Sequence, residues 1–314
     1  MATIDLSTPP APAVPAAGPL EDLPRRLTVT LPELRLVAER AGGAPLPFEA
    51  TGAPVVPTLG DRLGTGAAPT EDEAYAAALA ALHEPTSSLA RRGLLVDTVV
   101  DESLLGAVGL LATPSVAVDL EVSVEGARAR AWHRQRGRAV ASLATADGLV
   151  FELAWFPLHR WADELARTAV LPEEVALGVS PVPDHVDLPY ALADAAAEAV
   201  RGHRSDLLPV LAAEHAGQVR DRAGRPLPDL DVAALLGALA GESRGRLRAL
   251  VADVSGEVTA VVGVVSWTLL ADGWRVLRPR HAAGVDRVVV EQVAPAALAV
   301  ELAPVLAEVA RVQR

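Results

Sequence analysis

The chain has 314 residues, 51% of them hydrophobic, 22% charged and only 3% aromatic, with a formal net charge of −12. This is a globular composition, long enough for about two domains, whose scarcity of aromatics leaves the core to Ala, Val and Leu. The acidic balance, and arginines interleaved with acids as in Arg220-Asp221-Arg222, argue against a nucleic-acid binder, while the absence of cysteine removes disulfides and thiol chemistry.

In chain order, residues 1–26 are rich in Pro and Ala without an apolar period and read as a disordered tail. Met1 to Gly18 has neither a basic start nor an apolar stretch, so no signal peptide is expected and the protein is expected in the cytoplasm. Leu27–Leu31 reads as a strand, and Pro32-Glu33 opens a helix that ends at Gly42-Gly43. Residues 44–69 read as a long connection. Thr70-Glu71-Asp72-Glu73 has the form of a capping box for a helix whose stripe is Tyr75, Leu79, Leu82 and Leu89, broken near Pro85. Asp101 caps the next helix, with Leu104, Leu105, Val108 and Leu111 inward and Thr113-Pro114 as its stop.

The apolar period then changes from 3.6 to 2. Val116–Val124 alternates, Gly126 turns the chain into Ala127–Arg134, and Gly137 and Asp147-Gly148 bracket strands at Ala139–Thr145 and Leu149–Trp155. Pro157 starts a helix with Leu158, Trp161 and Leu165 on one side. The second part retraces this pattern. A strand at Val175–Ser180 precedes helices near Leu188–Arg201, Leu207–His215 and Asp231–Ala240. Strands follow at Leu247–Val254, Val258–Leu270, Trp274–Arg278 and Arg287–Val293. Pro295 opens a last helix striped by Leu298, Leu302, Val305, Leu306 and Val309. Asp147-Gly148 to Leu165 and Asp272-Gly273 to Leu302 read as matching stretches of a whole-domain duplication. The expected fold is α+β: two halves, 27–170 and 171–314, related by a quasi-two-fold and sharing a central antiparallel sheet flanked by helices.

Catalytic signatures are missing. There is no Lys for a Walker A loop, Gly64-Thr65-Gly66 follows no strand pattern, and Val254-Ser255-Gly256 lacks the leading Gly of a nucleophile elbow. The seven histidines contain no pair at metal-ligand spacing, so neither a metal nor a cofactor is expected. Glu71-Asp72-Glu73 and Glu173-Glu174 lie at expected helix starts, where acids complement the macrodipole. One unorthodox pocket, around His159, Trp161 and Asp163, stays open as an enzymatic alternative.

Ala77–Leu82, Leu89-Ala90-Arg91-Arg92-Gly93-Leu94-Leu95, the run Leu104–Leu120 with its Thr113-Pro114, and the hairpin Val264-Val265-Ser266-Trp267…Asp272-Gly273 together resemble the EspG family, cytoplasmic chaperones of actinobacterial type VII secretion. The resemblance runs from about 27 to 312. Two departures stand out: Gly273-Trp274-Arg275 replaces an expected Gly-Arg-Tyr, and the turn at Glu125-Gly126 is short where the family carries a client-engaging loop. The resemblance implies a protein without catalytic residues that holds a helical client, a PE/PPE-like heterodimer or a WXG-like protein, soluble for export, with no nucleic acid and no membrane insertion. Contacts are expected from Ser123, Glu125 and Gly126 at the hairpin tip and from Leu235, Leu236 and Leu239 on the helix Asp231–Ala240. An adaptor or regulator of the same fold is the alternative binding role.

Overall fold

In the computed structural model, which describes residues 23–48, 84–256, 258–282 and 284–312, one antiparallel sheet of ten strands runs the width of the molecule. The first part contributes β1 (Arg25–Thr30), α1 (Leu31–Arg40), α2 (Pro85–Arg91), a separate ribbon of β2 (Leu95–Val96) and β3 (Val99–Val100), and α3 (Glu102–Ala112). It continues with β4 (Val116–Val124), β5 (Ala127–Arg136), β6 (Ala139–Thr145), β7 (Val150–Pro157), a 3-10 turn at Leu158–Arg160, and α4 (Trp161–Thr168). The second part contributes β8 (His185–Pro189), α5 (Tyr190–Arg201), α6 (Leu208–Glu214), α7 (Asp229–Gly241), β9 (Gly245–Asp253), β10 (Ala260–Leu270), β11 (Gly273–Ala282), β12 (Val285–Gln292) and α8 (Ala297–Val312). Strand order is β1-β7-β6-β5-β4-β9-β10-β11-β12-β8. Strand, helices, four-strand meander and closing helix therefore occur twice, and the two runs meet where β4 pairs with β9 along the full length of both.

Period-two patterning sorts the strand side chains onto two faces. On one face Val116, Val118, Leu120, Leu247, Ala249 and Val251 pack with Trp161 and Leu165 of α4 and Leu298, Leu302 and Val309 of α8. On the other, Trp132, Leu143, Phe151 and Leu153 lie under α1, α2 and α3, and Val186, Leu188, Val288 and Val290 lie under α5, α6 and α7. The halves join closely. A Cβ on Gly245 would stand 2.3 Å from the Ser123 carbonyl oxygen, so β9 reaches β4 only because that position has no side chain.

Local signals explain most boundaries. The Asp101 side chain accepts from the Leu104 amide at 3.0 Å and starts α3, as expected. At α1 the structure adds a capping box: Thr30 caps, and its amide donates to the Glu33 carboxylate at 2.8 Å. The box at Thr70 and its helix lie outside the described residues.

Three expectations need correction. The chain from Val175 to Ser180 is not a strand. Leu177 and Val179 are exposed, and among the described residues the stretch donates only a local bond from Val175 to the Pro172 carbonyl and one from Gly178 to the Ala271 carbonyl. The edge strand is β8, which takes Leu188 and Pro189 from the expected helix; an edge position is one where a proline lacking its donor is tolerated. Ordered strand also begins at Arg25, two residues inside the expected tail. The Asp-Gly turns, finally, are not counterparts. Asp147-Gly148 joins β6 to β7, whereas Asp272-Gly273 joins β10 to β11, one hairpin earlier in its own run. Both glycines hold positive φ, so the dipeptide reports turn geometry and not position in the fold. The proline-started helices after β7 and β12 do correspond.

Candidate partner-binding surface

Among the described residues neither outer helical layer reaches the centre of the sheet: no residue of β4 or β9 belongs to the cores beneath α1–α3 or α5–α7. A strip of β5-β4-β9-β10 therefore shows its second face between them. Strand register fixes what lies on it, because cross-strand partners share a face. One row reads Arg128, Ser123, Arg246; the next Arg130, Glu121, Arg248, Ser266; the next Trp132, Asp119, Leu250, Val264. The third row forms the floor of a cleft of about 280 Å³ lined by Phe48, Asp119, Glu121, Arg130, Arg248 and Leu250. A second hollow of about 350 Å³ shares Asp119 and Leu250 and continues toward Pro45–Pro47 and Ala252.

The strip is apolar at one end and cationic at the other. Buried Arg134 is neutralised by Asp119 at 2.5 Å, and Arg130 stands 4.0 Å from Glu121. Among the described residues Arg128, Arg246 and Arg248 have no ion pair and no side-chain hydrogen bond, and all three are exposed. At the cationic end, the β4–β5 turn is held by Arg244. Its carbonyl accepts from the Glu125 amide at 2.8 Å and its guanidinium binds the Glu125 carboxylate and the Ala176 carbonyl. Those bonds hold Glu125 at φ +50, a conformation that side-chain-bearing residues adopt sparingly.

The expected contact residues divide. Ser123, Glu125 and Gly126 sit together at the cationic end of the strip, Ser123 directly between Arg128 and Arg246. Leu235 and Leu236 are wholly buried in the core under α5–α7, and Leu239 is half-buried against the same core. Leu235 and Leu236 hold α7 down and present nothing to a partner; the large exposed apolar side chain of that helix is Leu230. The arginines were missed, although the sequence carried a signal. Arg128-Ala129-Arg130 and Arg246-Leu247-Arg248 repeat arginine at period two, with Ala129 and Leu247 on the opposite face.

The pocket imagined around His159, Trp161 and Asp163 does not assemble. His159 and Asp163 are exposed, Asp163 lying 3.6 Å from Arg160, while Trp161 is buried. The Trp161 indole instead donates to Nδ1 of the buried His133 at 3.2 Å. Burial, with smaller contributions from Arg134 and Arg167, pushes His133 down to about 3, so it is a neutral acceptor. Among the described residues no cluster of His, Asp or Glu could hold a metal, and no helix is long and apolar enough to cross a membrane.

No family model matches the sequence, and no curated protein matches it. A solved structure does: the type VII secretion system chaperone EspG5 of Mycobacterium tuberculosis, in complex with the PE25-PPE41 dimer, aligns at TM-score 0.58 over 90% of this chain and 96% of that chain with 11% identity. The chain shares its fold with EspG5. Both chains are covered nearly end to end, so the likeness is of the fold as a whole.

Proposed function

We propose that the protein is a cytoplasmic chaperone that binds a helical type VII secretion substrate, a PE/PPE-like heterodimer, and keeps it soluble for export. The observation that carries this reading is the whole-length likeness to a chaperone solved with such a dimer. The strip between the helical layers suits the task in physical terms. It is a floor of sheet walled on both sides, with Leu250 and Val264 to cover the apolar end of a helix pair and a charged rim to set register. The role needs no catalytic group; among the described residues the strongly shifted histidine, His133, is sealed in the core.

Co-expression of the full chain with PE–PPE pairs from its own genome, followed by size-exclusion chromatography with light scattering, tests the reading. The expected result is a complex with one copy of each of the three chains and a client that is insoluble when expressed without its chaperone. A chain that elutes alone beside every soluble pair would overturn it.

A further inference from the structure

We infer that the end of the client seated on this surface is acidic, with carboxylates placed between Arg128, Arg130, Arg246 and Arg248. The inference rests on the strip being the client surface and adds the chemistry of what it receives.

Register places the four arginines at the corners of a rectangle. Arg128 and Arg246 are two strands apart with Ser123 between them, and Arg130 and Arg248 likewise flank Glu121. From strand spacing the rectangle measures roughly 10 Å across the strands and 7 Å along them. Among the described residues four guanidiniums face one carboxylate, Glu121, whose nearest guanidinium stands at the 4.0 Å limit of an ion pair. This concentration of positive charge occurs in a chain whose net charge is −12. Folding gains nothing from it, because like charges on neighbouring positions of one sheet face repel. Several arginines elsewhere on the surface are neutralised: Arg278 by Glu291 and Glu301, Arg287 and Arg280 by Asp187, Arg204 by Asp206. Arg128, Arg246 and Arg248 are left with planar forks pointed at solvent, the geometry that takes carboxylates bidentately.

A helix supplies the matching spacing. Carboxylates three or four residues apart lie about 5–6 Å from one another on a helix face, close to the 7 Å between the two arginine rows. The adjoining Leu250 and Val264 would take apolar residues of the next turn, so the fitting partner is an amphipathic helix end with acids toward the β4–β5 turn and apolar side chains toward Pro45–Pro47. A nucleic-acid strand fits less well. The rectangle is bounded by Glu121 and Glu125, and the molecule as a whole repels phosphate.

The test uses the full chain and the PE–PPE pair that it binds in co-expression, with affinities measured by calorimetry at 50 and 400 mM NaCl. Arg128→Gln with Arg246→Gln is expected to weaken binding about tenfold, and all four substitutions about a hundredfold, since each lost rim ion pair is worth roughly a factor of three. The added salt should weaken the wild type about tenfold and the fourfold variant hardly at all. Unchanged or raised thermal stability of the variants keeps a folding defect out of the reading. Arginine placed at acidic positions of the client helix end should restore binding to an Arg→Glu variant. Equal affinity of wild type and fourfold variant for the same pair overturns the acidic-partner inference while leaving the chaperone reading intact. Failure of the wild type to bind any pair removes both. Displacement of the pair by a 20-base-pair DNA duplex at equal concentration would assign the arginines to phosphate and overturn the inference as well.

Discussion

Lowering the pH from 7.5 to 5.0 tests the buried pair of His133 and Trp161. His133 has an ordinary value of 6.5 in the unfolded chain and about 3 in the folded protein, because burial penalises the imidazolium. The folded state thus binds fewer protons, so its stabilising contribution is complete above pH 6.5 and is lost as pH falls toward 3. At pH 5.0 the unfolded histidine is almost wholly protonated and the folded one is not; proton uptake by the unfolded chain alone removes about 2 kcal/mol. Urea unfolding of wild type and His133→Gln at both pH values isolates this amount. The variant keeps an acceptor for the Trp161 indole but cannot titrate. Its stability should therefore fall by about 2 kcal/mol less than the wild type's over the same interval. An identical fall in both proteins would refute the assignment of His133 as buried and neutral.

Three further substitutions probe the core of the second half. Arg275 is fully buried and donates to Asp272 at 2.6 Å and to the Val182 carbonyl at 3.1 Å. Asp272→Ala, by stranding that cation, should cost roughly 3–5 kcal/mol in denaturant unfolding, and Arg275→Met in the same chain should recover much of it. No recovery would mean that Arg275 is not held by Asp272. Leu235→Ala should lower stability by about 2–5 kcal/mol while leaving client affinity unchanged, as befits a side chain inside α7's packing and not on its surface. A loss of affinity with intact stability would restore the original placement of the contact on this helix.

Local chemistry was legible in the sequence; equivalence between distant segments was not. β6 was placed to the residue because Gly137 and Asp147-Gly148 close both its turns, and α3 because Asp101 and Pro114 mark its ends. β8 was missed because five residues ending in proline resemble a helix start, and only the exposed side of β12 makes an edge strand of them. Leu235 and Leu236 were misread because α7 is apolar nearly all round, so its sequence does not say which side faces the core. The arginine rectangle was invisible for a different reason. Arg128 and Arg246 stand far apart in the chain and become neighbours only through the register of β4 with β9. Ser123, singled out from the hairpin tip, proved to lie between them.

The absence of cysteine gives a direct measurement of where a client sits. Ser123→Cys puts a thiol at the centre of the cationic end of the strip, and Asp163→Cys puts one on exposed α4 across the sheet. Maleimide labelling of each, in the free protein and in complex with a PE–PPE pair, reads the footprint. Strong protection of the thiol at position 123 on complex formation, with none at position 163, is the predicted result. Equal labelling of position 123 in the free protein and the complex would contradict the account.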